Sequence, residues 1–159
     1  MRIHQHEVHT GSDYDLAAAW SQVTTYTSAV DAQLAKWLGD TYGLGLTEYY
    51  ALVHLSTAPK RELRINDLAY QVGLNQSSVT RLLGRLEAKG LTYRDTCPDD
   101  GRGVYAVITD AGKLLVQKAR KPYAAKIAEC LKAIATHDPG LDAKQLGRAL
   151  AAISAFITP

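Results

Sequence analysis

The sequence predicts a mainly α-helical chain with one small β-hairpin. Apolar residues recur at helical spacing through most of its 159 residues. Between residues 91 and 109 the period changes to two, around a tip rich in Gly and Asp. The sequence contains no internal repeat and no long low-complexity linker. The length fits one domain, or one compact unit with helical extensions.

The first helix is predicted from about Tyr14 to Leu38, because its apolar residues follow a heptad pattern interrupted only by Thr27. A single apolar seam can pack against the chain's own helices or against a second subunit, and the pattern leaves both open. Residues 1–13 are polar and His-rich, and they predict a flexible tail. The seam consists of Leu16, Trp20, Val23, Thr27, Val30, Leu34 and Trp37.

Two shorter helices are predicted next. One spans Leu46–Leu55, with Thr47 as its N-cap. The other spans Asn66–Val72, with Asn66 as its N-cap. We expect Gly73 to end this helix by supplying a residue with positive φ.

The fourth predicted helix, from about Asn75 to Lys89, has one apolar and one polar face. Asn75 is its predicted cap and Gly90 its predicted end. The apolar stripe consists of Val79, Leu82, Leu83 and Leu86. Arg can bind both acceptors of guanine, Gln can bond adenine, and hydroxyls suit phosphates or bases. Taken alone, this polar face is equally typical of an ordinary surface helix. Its members are Gln76, Ser77, Ser78, Thr80 and Arg81.

A hairpin is predicted after this helix, from two β-rich runs at 91–96 and 104–109. Helix, tight turn, helix and hairpin is the order of a winged helix-turn-helix, whose second helix enters the DNA major groove. The net charge is only +2, so basic residues must be clustered on the DNA side. We expect Arg81, Arg85 and the wing-tip Arg102 there, with Arg94 on the first strand.

Two more helices are predicted after the hairpin. The first spans Asp110–Ala135 and contains Pro122, which should kink or break it. The second spans Asp142–Ile157, where Asp142 and Gln145 resemble a capping box. The buried stripe predicted for this last helix is Leu146, Leu150, Ile153 and Ile157.

Residues Ile65 to Gly112 resemble the helix-turn-helix and wing of the multiple-antibiotic-resistance regulator (MarR) family. The wing Pro98–Arg102 is similar to that family's Asp-x-Arg signature, although Gly101 stands where the family often has Arg. The resemblance implies a homodimer joined by its first and last helices, a pseudo-palindromic double-stranded operator, and release from DNA by a small molecule. It also implies that Asp100 orients an arginine rather than touching DNA. The other similar segments are 65–69, 72–82, 85–91 and 108–112.

From pattern and resemblance together we predict a sequence-specific homodimeric transcriptional regulator, a repressor released by an effector. The predicted units are an N-terminal tail (1–13), a dimerisation helix and connection (14–45), a DNA-binding domain (46–112) and C-terminal dimerisation helices (113–159). The predicted DNA-binding residues are Asn75, Gln76, Ser77, Ser78, Thr80, Arg81, Arg85, Arg94, Asp100 and Arg102. The predicted effector pocket is formed by Trp20, Tyr26, Tyr49, Tyr50 and His54, with core or dimer packing as the alternative for each.

Other classes of function are disfavoured but stay open. Nucleophile elbow, phosphate-binding glycine loop and HExxH motifs are absent, so we expect no enzyme. A winged helix used for protein contacts should have an apolar outward face, unlike this one. An alternative regulator would respond to oxidation of Cys97 or Cys130.

The N-terminal segment and the overall hydropathy give the remaining expectations. Three imidazoles, from His4, His6 and His9, would suit zinc, but we favour a mobile tail and expect no metal and no cofactor. No apolar run approaches the roughly 18 residues that a membrane span needs, and no secretory signal precedes the cysteines. We therefore expect a cytoplasmic protein without a membrane partner.

Overall fold

The computed structural model describes residues 16–96, 103–135, 144 and 147–152. In these ranges the predicted fold class, mainly helical with a small antiparallel sheet, is confirmed. None of the described helices is both long and apolar enough to cross a membrane. Residues 144 and 147–152 are also helical. The main elements are α1 (Leu16–Tyr42), α2 (Leu46–Thr57), a 3-10 turn (Pro59–Arg61), β1 (Glu62–Arg64), α3 (Ile65–Gln71), α4 (Gln76–Ala88), β2 (Thr92–Thr96), β3 (Val104–Ile108) and α5 (Asp110–Ala135).

The sheet has three antiparallel strands in the order β1-β3-β2. The predicted hairpin is confirmed as β2 and β3, with Thr92 opposite Ile108 and Thr96 opposite Val104. The third strand, β1, was not predicted, and it lies along the other edge of β3 with Leu63 opposite Ala106. The sheet therefore joins the segment before α3 to the wing after α4.

The core lies between the C-terminal end of α1, α2, α3, α4, the sheet and the first turns of α5. The apolar stripe predicted for α4 is confirmed, because Val79, Leu82, Leu83 and Leu86 are all buried. They pack with leucines of α2 such as Leu52. Burial of one side of α4 leaves its polar side facing outward.

The heptad seam of α1 is divided between the core and the surface. Leu34 is buried, whereas the Trp20 side chain is 71% exposed and Val23 is 52% exposed. Leu150, the one described member of the stripe predicted for the last helix, is also exposed. In a single chain, the N-terminal half of α1 thus keeps an uncovered apolar face.

The predicted helix ends are correct around α4 and wrong before α2 and α3. Gly73 and Gly90 both have positive φ, as predicted. Thr47 is not the N-cap of α2; Gly45 occupies that position, and its N–H donates to the carboxylate of Glu48. Asn66 does not cap α3, because the preceding β1 strand leads directly into a helix that begins at Ile65. Local sequence could not show that strand pairing sets this start.

The helix α5 runs through Pro122 as a single element, so of the predicted kink or break the break is wrong. A proline removes one backbone donor from a helix. Here Ala119 and Cys130 are buried on the two sides of Pro122, and Tyr123 packs against the core. Packing along the whole helix offsets the loss of that hydrogen bond. The capping box predicted at Asp142 and Gln145 lies outside the described residues.

Candidate nucleic-acid interface

The outward face of α4 is a polar surface that lies next to the sheet. Its residues Gln76, Ser77, Thr80 and Arg81 are exposed and line one shallow groove. They occupy the first two turns of the helix, where unpaired backbone N–H groups give positive dipole character. The structure therefore brings together four of the ten side chains predicted to bind DNA.

The N-terminus of α4 is fixed by Asn75, as predicted. Its Oδ1 accepts the backbone N–H of Ser78 at 2.8 Å and the hydroxyl of Ser77 at 2.8 Å. This side chain therefore orders the helix start, and Ser78 is only partly exposed. A cap of this kind is worth about 1 kcal/mol.

The hydroxyl groups of the polar face donate their protons within the helix. Ser77 donates to Asn75, and Thr80 Oγ1 donates to the carbonyl of Gln76 at 2.9 Å. Each oxygen then offers lone pairs to the outside. In the major groove such acceptors suit the amino groups of cytosine and adenine.

Arg81 differs from the other arginines of this region. Within the described part of the chain, neither an ion pair nor a hydrogen bond holds its guanidinium, and the side chain is exposed. A guanidinium that is not paired inside the protein can bind guanine or phosphate without first breaking an ion pair.

Arg85 faces the protein body instead of the polar face. Its Nε donates to Glu48 Oε1 of α2 at 2.9 Å, although the side chain is more than half exposed. Arg85 therefore has an internal ion-pair partner, and the DNA contact predicted for it stays a prediction. The buried carboxylate of Glu48 attracts it because an unpaired buried charge is costly.

Arg94 also has internal partners. Its Nη2 donates to the carbonyl of Thr80 at 3.1 Å, and its Nε lies 3.3 Å from Glu87 Oε1. These contacts join β2 to the middle and the end of α4. Arg94 therefore connects β2 to α4, and the DNA contact predicted for it stays a prediction. Asp100 and Arg102 lie outside the described residues.

A small polar pocket of about 180 Å³ next to α4 contains residues that were not predicted from the sequence as site residues. Arg64 and Asn66 contribute to it from the start of α3, Gln76 from α4 and Gly103 from the start of the wing strand. The Arg64 guanidinium lies over the Tyr105 ring and its Nε donates to the Tyr105 hydroxyl at 3.0 Å. Arg64 was not predicted as a site residue, because no local signal in the sequence shows that β1 places it beside α4.

Glu48 has the most distinctive electrostatic environment of the region. Its side chain is 5% exposed. Burial by itself would raise the pKa of Glu48, but hydrogen bonds from Lys89, the Gly45 amide and Arg85 outweigh burial and lower it. The carboxylate is therefore ionised at neutral pH and bound on both oxygens.

A second, apolar cavity of about 390 Å³ lies between α1 and α5, away from the polar face of α4. Of the five residues predicted for an effector pocket, Tyr26 and Tyr50 line it. Tyr123, not predicted, also lines it, and its hydroxyl donates to that of Tyr50 at 3.1 Å. Within the described residues, the buried Tyr26 hydroxyl has no hydrogen-bond partner. The remaining wall is mainly aliphatic and includes Val23, Val30, Leu34, Ile127, Leu131 and Leu150.

The other three predicted pocket residues lie elsewhere. Trp20 is exposed on α1 and does not line the cavity. Tyr49 is buried in the core, with its ring centroid 4.5 Å from that of Tyr123. His54 is partly buried, and burial lowers its pKa. Tyr49 and Tyr50 are separated because α2 turns them in different directions, and the assignment of Trp20, Tyr49 and His54 to an effector pocket stays a prediction.

The metal and thiol predictions are only partly covered by the described residues. Over those residues, no group of three His, Cys, Asp or Glu side chains could hold a metal ion. His4, His6, His9 and Cys97 lie outside them. Cys130 is 3% exposed, and its Sγ lies 3.6 Å from Gln33 Oε1.

Comparisons with known proteins agree with this geometry. Residues 42–103 match the family model described as "MarR family". Over 60 residues the chain is 33% identical to YdgJ, an uncharacterised HTH-type transcriptional regulator of Bacillus subtilis. That match covers 38% of this chain and 37% of the relative, so it spans little more than a third of either protein.

Solved structures match over most of the chain. AbsC, a MarR family transcriptional regulator from Streptomyces coelicolor, superposes with a TM-score of 0.73 at 25% identity, over 92% of this chain and 93% of that one. Sco3205 from the same organism, solved in complex with DNA, gives 0.71 at 22% identity, over 98% and 94%. Apo MarR from E. coli gives 0.68 at 19% identity, over 88% and 96%. These relatives are described as transcriptional regulators, which agrees with the prediction that this chain is not an enzyme.

Proposed function

Residues 42–103 belong to the MarR family, and from this premise we propose that the protein is a homodimeric transcriptional regulator that binds double-stranded DNA sequence-specifically. The observation that carries the proposal is the exposed polar face of α4, with Gln76, Thr80 and Arg81 on one groove, where Arg81 has no internal partner among the described residues. An α-helix with these side chains fits the major groove and can contact base edges there.

The surroundings of α4 support DNA binding as the use of this face. The opposite stripe of α4 is buried, so the helix is held rigidly and presents its first two turns. The sheet beside it leads into the wing, and Arg64 lies in the adjoining polar pocket. The similar fold of Sco3205 was solved with DNA bound. We assign DNA binding to residues 46–112, with Arg102 as a wing-tip contact.

Dimerisation is proposed through residues 14–45 and 113–159. Trp20 and Val23 on α1 are exposed in the single chain, and so is Leu150. Apolar side chains clustered on one side of a helical region are typical of subunit interfaces. Sedimentation at micromolar concentration should therefore give a dimer, and Val23→Asp should shift it toward the monomer. A monomeric wild-type protein would contradict this assignment.

Regulation by a small molecule is proposed at the apolar cavity between α1 and α5. Its volume and aromatic wall suit a drug-sized apolar or phenolic ligand. The Tyr26 hydroxyl offers a polar group to such a ligand. A ligand that binds better to the DNA-free conformation would release the protein from its operator, as expected of a repressor. A reporter gene under the operator, with and without the ligand, tests both points.

Regulation through cysteine oxidation is the second candidate. The burial of Cys130 counts against Cys130 as the sensor, because a reactive thiol needs access and a lowered pKa, and oxidation of Cys97 stays open. We propose Cys130 as a packing residue. Unchanged peroxide sensitivity of DNA binding in Cys130→Ser would support this, and loss of sensitivity would favour the redox regulator.

The test of the proposed function is selection of bound sequences from a random pool of duplex DNA. We expect a pseudo-palindrome whose half-sites lie about one helical turn apart. Selection with the Arg81→Ala variant should enrich this pseudo-palindrome only weakly. Arg120→Ala, which removes an exposed guanidinium from α5, is the matched control and should behave as wild type. If wild-type protein enriches no sequence, the proposed function is wrong.

A further inference from the structure

Glu48 is a buried carboxylate that binds two cations at the C-terminal end of α4, Arg85 in its last turn and Lys89 just after it. Arg85 Nε lies 2.9 Å from its Oε1, and Lys89 Nζ lies 2.6 Å from its Oε2. The Gly45 N–H also donates to Oε2 at 3.0 Å. Both carboxylate oxygens are thus occupied, which compensates much of the cost of burying the charge.

These contacts connect three parts of the fold. Glu48 lies in the first turn of α2, and Arg85 and Lys89 lie in the last turn of α4 and just after it. Lys89 Nζ also donates to the carbonyl of Gly43 at 2.7 Å, in the connection between α1 and α2. Because the bonds come from several directions, they fix the C-terminal end of α4 in both rotation and tilt.

The other end of α4 carries the side chains that face outward. Gln76 and Arg81 are about one to three turns away from the Glu48 ion pairs along a stiff helix. A small rotation at Arg85 therefore moves these side chains relative to a base edge, and hydrogen bonds to bases depend steeply on distance and angle.

From this geometry we propose that Glu48 is a positioning residue for DNA recognition, which sets the orientation of α4 through Arg85 and Lys89. The inference rests on the proposed function. Glu48 itself is buried and touches no DNA. Arg85 acts through Glu48, so it does not neutralise phosphate directly.

The alternative, in which Arg85 contacts phosphate, predicts a different result. Loss of a phosphate contact weakens binding to all sequences and reduces its salt dependence. Loss of the Glu48 charge leaves two cations near the interface without their partner. Binding to random DNA should then stay equal or become stronger, while binding to the selected operator becomes weaker.

The experiment compares Glu48→Gln, Arg85→Gln and the double variant in the full-length protein. Affinities for the selected operator and for a scrambled duplex are measured at several salt concentrations. The control is Asp40→Asn, which removes a carboxylate from an exposed i,i+4 pair with Lys36. Far-UV circular dichroism verifies that each variant is folded; if Glu48→Gln is not, Arg85→Gln and Lys89→Gln replace it.

We expect Glu48→Gln to lower the operator-to-scrambled affinity ratio about tenfold, comparable to one base mismatch. Arg85→Gln should do the same, and the double variant should be no worse than either, since both remove one interaction. The ratio in Asp40→Asn should equal that of wild type.

The proposal is overturned if Glu48→Gln keeps the ratio while Arg85→Gln lowers the salt dependence for both duplexes. Additive losses in the double variant also contradict it. If wild-type protein itself does not discriminate between any two duplexes, the proposed function fails first and this inference fails with it.

Discussion

Gly112 and Gly84 are both helical glycines, yet the structure predicts opposite effects of alanine at the two positions. Gly112 lies in the first turn of α5, where a Cβ would overlap the carbonyl oxygen of Leu91 and lie 2.8 Å from Ile108 Cγ1. Gly84 lies within α4, and a Cβ there would meet nothing within 4 Å. In an open helical position, alanine is more stable than glycine by about 0.5–1 kcal/mol.

The obstacle at Gly112 is backbone that has little freedom to move. The Leu91 carbonyl already accepts the N–H of Thr109 at 3.0 Å, and Thr109 Oγ1 donates to the carbonyl of Gly90 at 2.8 Å. Overpacking of this kind costs typically about 1–3 kcal/mol, and more where backbone must shift. After subtraction of the helix gain, Gly112→Ala should destabilise the protein by about 2 kcal/mol.

The assay is urea unfolding followed by circular dichroism, at one protein concentration and without DNA. Gly84→Ala should be more stable than wild type by about 0.5–1 kcal/mol, so the two variants should differ by about 3 kcal/mol. A Gly112→Ala variant as stable as wild type would show that the contact between Gly112 and Leu91 is looser than described. This result would refute the predicted overlap of an alanine Cβ with the Leu91 carbonyl.

Three further predictions concern stability. Leu83→Ala, at a fully buried position of α4, should cost about 2–5 kcal/mol in urea unfolding; a cost below about 1 kcal/mol would contradict the described core. Tyr123→Phe removes the donor to Tyr50 and should cost about 0.5–1.5 kcal/mol, whereas no change would mean that the hydroxyls are not bonded. Because its pKa is lowered in the folded state, Glu48 should contribute stability that is fully present above its unfolded value of 4.5 and lost as pH falls through the lowered folded pKa. The stability difference between wild type and Glu48→Gln should therefore shrink below pH 4.5, and a difference independent of pH would contradict this.

The helix-turn-helix was predictable because its signals are local. Asn75 as cap, Gly73 and Gly90 as positive-φ ends, and the spacing of the α4 leucines all lie within residues 73–90. These preferences agree with one another, and tertiary packing reinforces them. The same holds for the hairpin, whose alternation lies within two short strands.

The features that were missed depend on contacts between distant residues. The strand β1 has only three residues and exists through pairing with β3, more than forty positions away. Arg85 was predicted to contact DNA because it lies on a polar helix side, and the sequence did not show its ion-pair partner Glu48, which is 37 positions earlier. Periodicity gives the side of a helix on which a residue lies, and it does not give the ion-pair partner.

For the same reason, only two of the five residues predicted for an effector pocket line the cavity between α1 and α5. Tyr26 and Tyr50 lie on separate helices, and α5 adds Tyr123, whose hydroxyl donates to that of Tyr50. Tyr49 is next to Tyr50 in sequence but points into the core. An aromatic-rich segment therefore indicates a pocket region without showing which rings face the pocket.

The central claim is that the polar face of α4 reads DNA bases, and Arg81 is its most direct test. The measurement is the affinity of wild-type protein and of Arg81→Ala for the selected operator and for every single-base variant of one half-site. We predict that Arg81→Ala loses about 1–3 kcal/mol on the operator and becomes indifferent to the base at one position. A variant that weakens equally for all sequences, or keeps the wild-type base preferences, would contradict base reading by this helix face.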